Sequence, residues 1–141
     1  MSYINNHFNL ALKIAQTIEH DMRFHHCAIL AKKNRVISIG INRGKTNPKC
    51  KNPYGHLHAE IDCIIGVDKA SLRNASLFVV RAGGINREHI YLSKPCSYCA
   101  AAITRTGIKE VYYSINDKHI GHWLVKKDIR RKLNVEPPNS N

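Results

Sequence analysis

Four residues of this sequence could together carry out metal-assisted chemistry. His58 stands two residues before Glu60, and Cys96 and Cys99 follow Pro95 in the run Lys-Pro-Cys-Ser-Tyr-Cys. An imidazole and two thiolates are the usual protein ligands of a catalytic zinc, which keeps its fourth position open for water. A nearby glutamate then serves as a proton carrier rather than a ligand. These residue types and spacings predict a catalytic zinc site.

The spacing also limits which elements can hold these residues at one point. Cys96 and Cys99 lie three residues apart, so a helix places them on one face, and Pro95 just ahead of them suits the start of that helix. His58 and Glu60 would diverge in the middle of a helix, so both reach one site only beyond a helix end. We therefore expect two helices with their N-termini directed at one metal ion. A structural zinc knuckle or a redox pair is the alternative for the two cysteines alone.

The composition is that of one globular domain with a basic surface. The chain has 141 residues, of which 43% are apolar, and no apolar stretch is long enough to span a bilayer. The N-terminus lacks a signal-peptide pattern, and five cysteines suggest no disulfide scheme, so we expect a cytoplasmic location without membrane association. The net charge of +12 favours anionic partners, either nucleotides or nucleic acid. A basic surface that serves only solubility is the alternative.

Apolar spacing predicts three helices, two of which carry the site. They cover residues 5–20, 58–66 and 96–106. Asn5 or Asn6 is the expected N-cap of the first helix. Gly107 is the expected C-cap of the third.

Runs rich in β-branched and aromatic residues predict four strands. They cover residues 27–31, 35–41, 76–81 and 111–115, and the first two form a hairpin through residues 32–34. Polar connections are predicted at residues 20–26, 42–55, 82–94 and 116–119. Strands that alternate with helices predict an α/β three-layer sandwich with a mixed sheet and helices on both faces.

The pattern after residue 119 is compatible with either a strand or a basic helix. Its apolar residues are Trp123, Val125, Ile129 and Leu133. Residues 134–141 contain two adjacent prolines and are predicted to form a flexible tail. We therefore expect a single domain at residues 1–133, without internal repeats.

The motifs resemble the cytidine deaminase superfamily, in which His-x-Glu is followed by Pro-Cys-x-x-Cys. The likeness is greatest to the branch of deoxycytidylate and tRNA-adenosine deaminases, which uses His-Ala-Glu as residues 58–60 do. Residues 40–42 match a Gly-x-Asn of that family, and residues 108–114 resemble the strand after its second metal helix. The resemblance implies these site residues: zinc ligands His58, Cys96 and Cys99, the catalytic Glu60, the sugar contact Asn42, and the base contacts Ala59 and Pro95.

The sequence departs from the family pattern at two places. Residues 82–94 separate the third strand from Pro95, whereas the family runs almost directly into its Pro-Cys. Some members hold a second, structural zinc partly through a histidine two residues before the catalytic one. His56 occupies that place, with Cys50 and Cys27 as candidate companions. Because this second pattern is incomplete, we expect one zinc ion per chain.

The implied reaction is hydrolytic deamination of a nucleobase. Activated water adds to C4 of cytosine or C6 of adenine, while Glu60 moves protons to the ring nitrogen and to the departing ammonia. We expect a free cytosine nucleotide or nucleoside, of the dCMP type, which is converted to its uracil form. Lys45 and Thr46, in the long segment before the metal ligand, are expected to bind a phosphate rather than only solvent.

Two other functions are compatible with the sequence. One is deamination of cytosine or adenine within single-stranded DNA or RNA, including tRNA, which the +12 charge and the basic residues at 126–132 favour. The other is a zinc module that binds nucleic acid without catalysis, for which Glu60 would have no use. We also expect the chain to form a homo-oligomer.

Overall fold

The part of the chain that the structure describes has a seven-stranded sheet at its centre, with helices packed on both faces of the sheet. The computed structural model describes residues 2–18, 24–43 and 57–134. In chain order the elements are α1 (Ser2–Thr17), β1 (His25–Lys32), β2 (Arg35–Ile41), α2 (Ala59–Ile64), α3 (Lys69–Leu72), β3 (Ser76–Gly83), a short 3-10 helix (Ile85–Arg87), β4 (His89–Tyr91), α4 (Ser97–Thr104), β5 (Glu110–Ser114), β6 (His119–Leu124) and β7 (Ile129–Asn134).

The sheet is mixed, as the sequence predicts. Its strand order is β2-β1-β3-β5-β6-β7, with β4 also paired to β3. β3 and β5 run parallel, whereas the other neighbouring pairs are antiparallel. β1 and β3 are buried along nearly their whole length because helices cover both faces, which explains their almost continuous apolar sequences. The α/β fold and the predicted β1–β2 hairpin are therefore confirmed.

The sheet separates two hydrophobic cores. Phe8 of α1 packs with Ile29 and Phe78 in the core on one face. Ile103 of α4 packs with Leu30 in the core on the other face, which α2 also covers. The alternation of side chains along the central strands thus divides them between two helical layers. The three-layer arrangement agrees with the prediction.

The central strand β3 changes its partner halfway along. Residues 76–79 pair in parallel with β5, whereas residues 81–83 pair antiparallel with β4. The Ser93 hydroxyl, after β4, donates to a carbonyl of β3 at 2.7 Å and accepts from the backbone N–H of Ser114 in β5 at 2.8 Å. These bonds connect the segment after β4 to both β3 and β5. Residues 82–94, predicted as a connection, therefore contain the end of β3 and a paired strand. A strand of three residues is too short for its alternation to be visible in the sequence.

The N-terminal boundaries differ from the prediction. α1 includes both Asn5 and Asn6, which were expected to cap it. The helix extends past them because Ile4 packs in the core on that face, and packing of an apolar side chain stabilises a first turn. β1 begins at His25, so the end of the predicted connection 20–26 belongs to the strand.

Both helices that carry the predicted site are shorter than expected. α2 begins after His58, which is its N-cap, and ends two residues before the predicted limit at residue 66. α4 ends at a C-cap formed by Arg105 rather than Gly107. Gly107 instead has a φ of +85°, a left-handed conformation that glycine adopts without steric cost, in the turn before β5. Among the described residues, no helix combines the length and apolar character needed to cross a bilayer.

The chain after residue 119 forms the hairpin of β6 and β7, so the helical alternative is wrong. The carboxylate of Asp128, in the turn, accepts a hydrogen bond from the indole N–H of Trp123 at 2.8 Å. The guanidinium of Arg130 lies 4.2 Å from the centre of the same indole ring. These contacts across the hairpin, rather than local periodicity, favour the strands. β7 ends at Asn134, and the tail predicted for the following residues lies outside the described residues.

Candidate active site

The predicted metal ligands meet between the N-termini of two helices. His58 is the N-cap of α2, and Cys96 is the N-cap of α4, where its sulfur accepts a hydrogen bond from the backbone N–H of Cys99. The Nδ1 atom of His58 lies 3.3 Å from the Sγ of Cys99 and 3.6 Å from the Sγ of Cys96. The structure therefore brings the three residues together in the way their spacing predicts.

The separations of the three donor atoms suit a zinc ion. All three atoms lie within 4.8 Å of one another. Tetrahedral zinc with ordinary bond lengths holds a nitrogen and a sulfur ligand about 3.6 Å apart. Two thiols and one imidazole are also the donor chemistry that zinc prefers. Three ligands leave the fourth position of a tetrahedron for water, which is the arrangement of a catalytic site rather than a structural one.

Close packing against β2 sets the position of α2. A Cβ atom at Gly40 would lie only 2.4 Å from the carbonyl oxygen of Ala59 and 2.4 Å from the backbone nitrogen of Cys63. The helix can therefore approach the strand this closely only because residue 40 is a glycine. The carboxylate of Asp62 accepts a hydrogen bond from the backbone N–H of Ile41 at 3.0 Å and adds a second link. Together these contacts fix the helix that begins at the metal ligand.

Glu60 is the carboxylate expected to carry protons, and it lies in the first turn of α2. Its side chain is buried, with 5% of the residue exposed. Burial raises the pKa of Glu60 to about 7, and the hydrogen bonds from its own backbone amide and from Cys99 oppose that rise only in part. A carboxyl group with such a pKa both accepts and donates protons readily near neutral pH.

The metal-binding residues open into a pocket of about 350 Å³, a volume suited to a small molecule. Five of the predicted site residues line it, namely Asn42, His58, Ala59, Glu60 and Cys96. Cys99 is fully buried behind them. Pro95 is also buried, directly before α4, and does not line the pocket. Lys45 and Thr46 lie outside the described residues, so their phosphate contact stays a prediction.

Asn42 connects the pocket to the start of β1. Its Oδ1 accepts a hydrogen bond from the backbone N–H of His26 at 2.9 Å, and its Nδ2 donates to the carbonyl of Phe24 at 2.8 Å. The residue is buried, with 5% exposed, and its side chain holds this part of the pocket wall in place. The sugar contact that the family resemblance implies for Asn42 remains a prediction.

Sequence reasoning missed several residues that line the pocket. Arg81 lies near the end of β3, and Lys94 stands directly before the buried proline of the metal motif. Phe24, directly before β1, and His26, near the start of that strand, also line the pocket. A charged residue after the apolar run of β3 was the one signal available for Arg81. The signal is weak, because such a residue usually marks the solvent-exposed end of a strand.

Cys27, a candidate companion in the second zinc site, lies in the core beneath α1. Burial, assisted by the nearby Cys63, raises the pKa of the Cys27 thiol to about 12. The metal ligand His58 lies on the opposite face, that of α2 and α4. Cys50 and His56 lie outside the described residues. Cys27, which is the one candidate ligand of a second zinc that the structure describes, is therefore not placed to bind it.

Comparisons with known proteins agree with this geometry. The chain is 31% identical over 125 residues to the deoxycytidylate deaminase of Schizosaccharomyces pombe, covering 79% of this chain and 38% of that protein. It thus spans well under half the length of this curated relative. The apo crystal structure of the dCMP deaminase from cyanophage S-TIM5 superposes with a TM-score of 0.54 at 20% identity, over 79% of this chain and 82% of that one, which supports the fold. The family model of the cytidine and deoxycytidylate deaminase zinc-binding region matches residues 1–115, and the chain therefore belongs to this zinc-binding family.

Proposed function

We propose that this chain is a zinc-dependent deaminase that converts a cytosine nucleotide of the dCMP type to its uracil form and releases ammonia. The observation that carries the proposal is the shared pocket, into which a buried glutamate and the metal ligands His58 and Cys96 all open. A structural zinc site has no use for such a carboxylate. The relative from S. pombe is named for deoxycytidylate deamination, which supports cytosine as the base.

The residues of the chain divide the reaction between holding the metal and moving protons. His58, Cys96 and Cys99 would hold the zinc ion, which would supply the Lewis acidity that makes water nucleophilic at neutral pH. Glu60 accepts the proton that water loses as it adds to C4 of the base, and gives a proton to the ring nitrogen. It then takes the remaining proton from the new C4 hydroxyl and delivers it to the amino group, so that the C4–N bond breaks, ammonia leaves and the C4 oxygen becomes the carbonyl of the uracil form. Water and the cytosine form are consumed, and the uracil form and ammonia are produced.

The polynucleotide hypothesis has less support from the basic residues at 126–132. Arg130 packs on the indole ring of Trp123, and Arg131 donates a hydrogen bond from its Nε to the Nδ1 of His122 at 2.9 Å. Two of the five cations in this segment thus have roles in the hairpin itself. The expected homo-oligomer and the expected cytoplasmic location stay predictions.

A substrate screen tests the proposed function. Purified zinc-loaded protein is incubated with dCMP, cytidine, single-stranded DNA and tRNA, and ammonia release is measured for each. We expect the highest kcat/KM for dCMP. Deamination of a polynucleotide with no turnover of any free nucleotide would contradict the proposal.

Elemental analysis provides the matching test of the metal. We expect one zinc per chain, held by His58, Cys96 and Cys99, and loss of activity after chelation that added zinc restores. Cys99→Ser should lower the zinc content, whereas Cys63→Ser, at a buried cysteine outside the donor set, should not. Protein without zinc whose activity resists chelators would refute this part of the proposal.

A further inference from the structure

The pocket carries cationic side chains in addition to its metal ligands. Arg81 and Lys94 both line it, together with the imidazole of His26. Glu60 is the single carboxylate among the pocket-lining residues that the structure describes. The local charge therefore favours a ligand with an anionic group.

The strand register places three of the side chains near the pocket in one row. Arg81 of β3 is paired with His26 of β1 on one side and with Tyr91 of β4 on the other. Directly paired residues of neighbouring strands project to the same face of a sheet. Val79, two residues before Arg81, packs in the core beneath α2 and α4, so the row faces the side that carries the metal ligands.

The guanidinium of Arg81 is held in a defined position. Its Cζ atom lies 3.7 Å from the ring centre of Phe24 and 5.7 Å from that of Tyr91. Its Nη1 donates to the carbonyl of Leu92 at 3.5 Å. A cation fixed by stacking loses little conformational entropy when it binds an anion, which favours binding.

Lys94 is carried by an anchored stretch of backbone. The preceding residue, Ser93, is buried and joins β3 to β5 through its hydroxyl, and the following residue, Pro95, is buried before α4. The Lys94 side chain itself is exposed at the pocket. Lys94 belongs to residues 82–94, the additional residues that separate the third strand from the metal motif. These residues therefore supply part of the pocket wall and one of its cations.

We propose that Arg81 and Lys94 form a subsite for the phosphate on the 5′ side of the sugar, with His26 beside them. The proposal rests on the proposed function and deepens it by naming the residues that distinguish a nucleotide from a nucleoside. A planar guanidinium binds phosphate through two parallel N–H donors, and an ammonium adds a mobile point charge. The same chemistry suits the phosphate of a free nucleotide or a phosphodiester of a strand, and the experiment separates these two sources.

Substrate selectivity tests the subsite. The readout is kcat/KM for dCMP divided by kcat/KM for deoxycytidine, in zinc-replete wild type, Lys94→Met and Arg81→Gln. We expect the ratio to fall about 10- to 100-fold in each variant, because a charge-assisted hydrogen bond to phosphate is lost. Lys94→Arg should restore most of the ratio. Lys69→Met, which removes an exposed cation of α3 outside the pocket, is the matched control and should leave the ratio unchanged.

Binding measurements separate failure of the subsite from failure of the proposed reaction. Calorimetry on zinc-loaded Glu60→Gln protein compares dCMP, deoxycytidine and an oligonucleotide with a single dC. We expect Glu60→Gln protein to bind dCMP more tightly than deoxycytidine, and we expect Lys94→Met to abolish this difference. That result would support the subsite even if the wild type deaminates no cytosine substrate. Equal affinities for dCMP and deoxycytidine, or an unchanged selectivity ratio in both variants, would overturn it. If Lys94→Met weakened binding of the oligonucleotide alone, the subsite would bind a phosphodiester of a strand, and the assignment to a mononucleotide phosphate would be wrong.

Discussion

The two faces of the sheet each contain a buried glutamate, and the two carboxyl groups behave in opposite ways. Glu60, on the face of α2 and α4, is 5% exposed, and Glu110, on the face of α1, is 7% exposed. Burial raises the pKa of Glu60 to about 7. Burial also raises the pKa of Glu110, but hydrogen bonds from His122 and Ser76 outweigh it and bring the pKa to about 2. The donors around a carboxylate, rather than burial alone, decide whether it can exchange protons.

The Glu110 side chain is the centre of a hydrogen-bonded network. Its Oε2 accepts from the hydroxyl of Ser76 at 2.6 Å, and its Oε1 accepts from Tyr112 at 3.2 Å and lies 2.8 Å from the Nε2 of His122. Because Arg131 donates to the Nδ1 of His122, the hydrogen of a neutral imidazole is on Nε2 and points at Glu110. This network connects β7 to the centre of the sheet. Glu110 therefore has a structural role, whereas the setting of Glu60 suits proton transfer.

The largest expected effect that distinguishes the two glutamates is the loss of turnover when Glu60 is replaced. Glu60→Gln should lower kcat by about 10³-fold or more, because an amide cannot carry protons, while zinc content and unfolding temperature are retained. Steady-state kinetics, elemental analysis and thermal unfolding measure these three quantities. A variant with nearly normal kcat would remove Glu60 from its proposed role.

The matching substitution on the other face should affect stability instead. Glu110→Gln should lower the free energy of unfolding by about 3 kcal/mol, because the His122 and Arg131 side of the network loses its buried negative charge. Denaturant unfolding of zinc-loaded protein measures the change, and kcat of the folded variant serves as the control. A loss of turnover with unchanged stability would exchange the roles assigned to the two glutamates.

The pH dependence of stability sharpens the same comparison. The folded-state pKa of Glu110, about 2, lies below its ordinary value of 4.5, so the unfolded chain binds this proton first as the pH falls. The stabilisation is complete above about pH 4.5 and is lost toward pH 2, with a total on the order of 3 kcal/mol. The difference in unfolding free energy between wild type and Glu110→Gln should therefore shrink as the pH falls from 5 to 3. A constant difference over that range would show that the charge of Glu110 is not what stabilises the fold.

The smallest expected effect concerns the exposed cations of the β6–β7 hairpin. Replacing Lys126, Lys127 and Lys132 by glutamine should change kcat/KM for dCMP less than about 2-fold, because exposed charges remote from a ligand are screened by salt. Arg130 and Arg131 are left in place because they contact Trp123 and His122. If the substrate were a single strand, the logarithm of its affinity would fall with the logarithm of salt concentration at a slope of about 0.7 per phosphate contact. The triple variant would then show a shallower slope than the wild type.

Local sequence spacing was sufficient to predict each of the two residue pairs that form the metal site. Cys96 and Cys99 are separated by less than one helical turn, and His58 and Glu60 are separated by two residues, so their geometry depends on little beyond a helix start. The bounds of β2 were likewise predictable, because a strand between two turn signals has a pattern of its own. Predictions of this kind concern residues that are neighbours in the chain.

The tertiary structure alone decided which distant residues complete the pocket and which carboxylate is structural. Arg81 is paired with His26 because β1 lies beside β3, and Lys94 lines the same pocket after β4, the short strand that replaces β5 as the partner of β3. A paired strand of three residues leaves no readable pattern in the sequence. Glu110 acquires its low pKa from donors that strand register brings to it from β3 and β6. Spacing along the chain therefore predicted each pair of site residues, because the members of a pair lie within about one helical turn, whereas the fold brings His58 to the two cysteines. The surroundings of that site depended on hydrogen bonds between strands far apart in sequence, which no local pattern encodes.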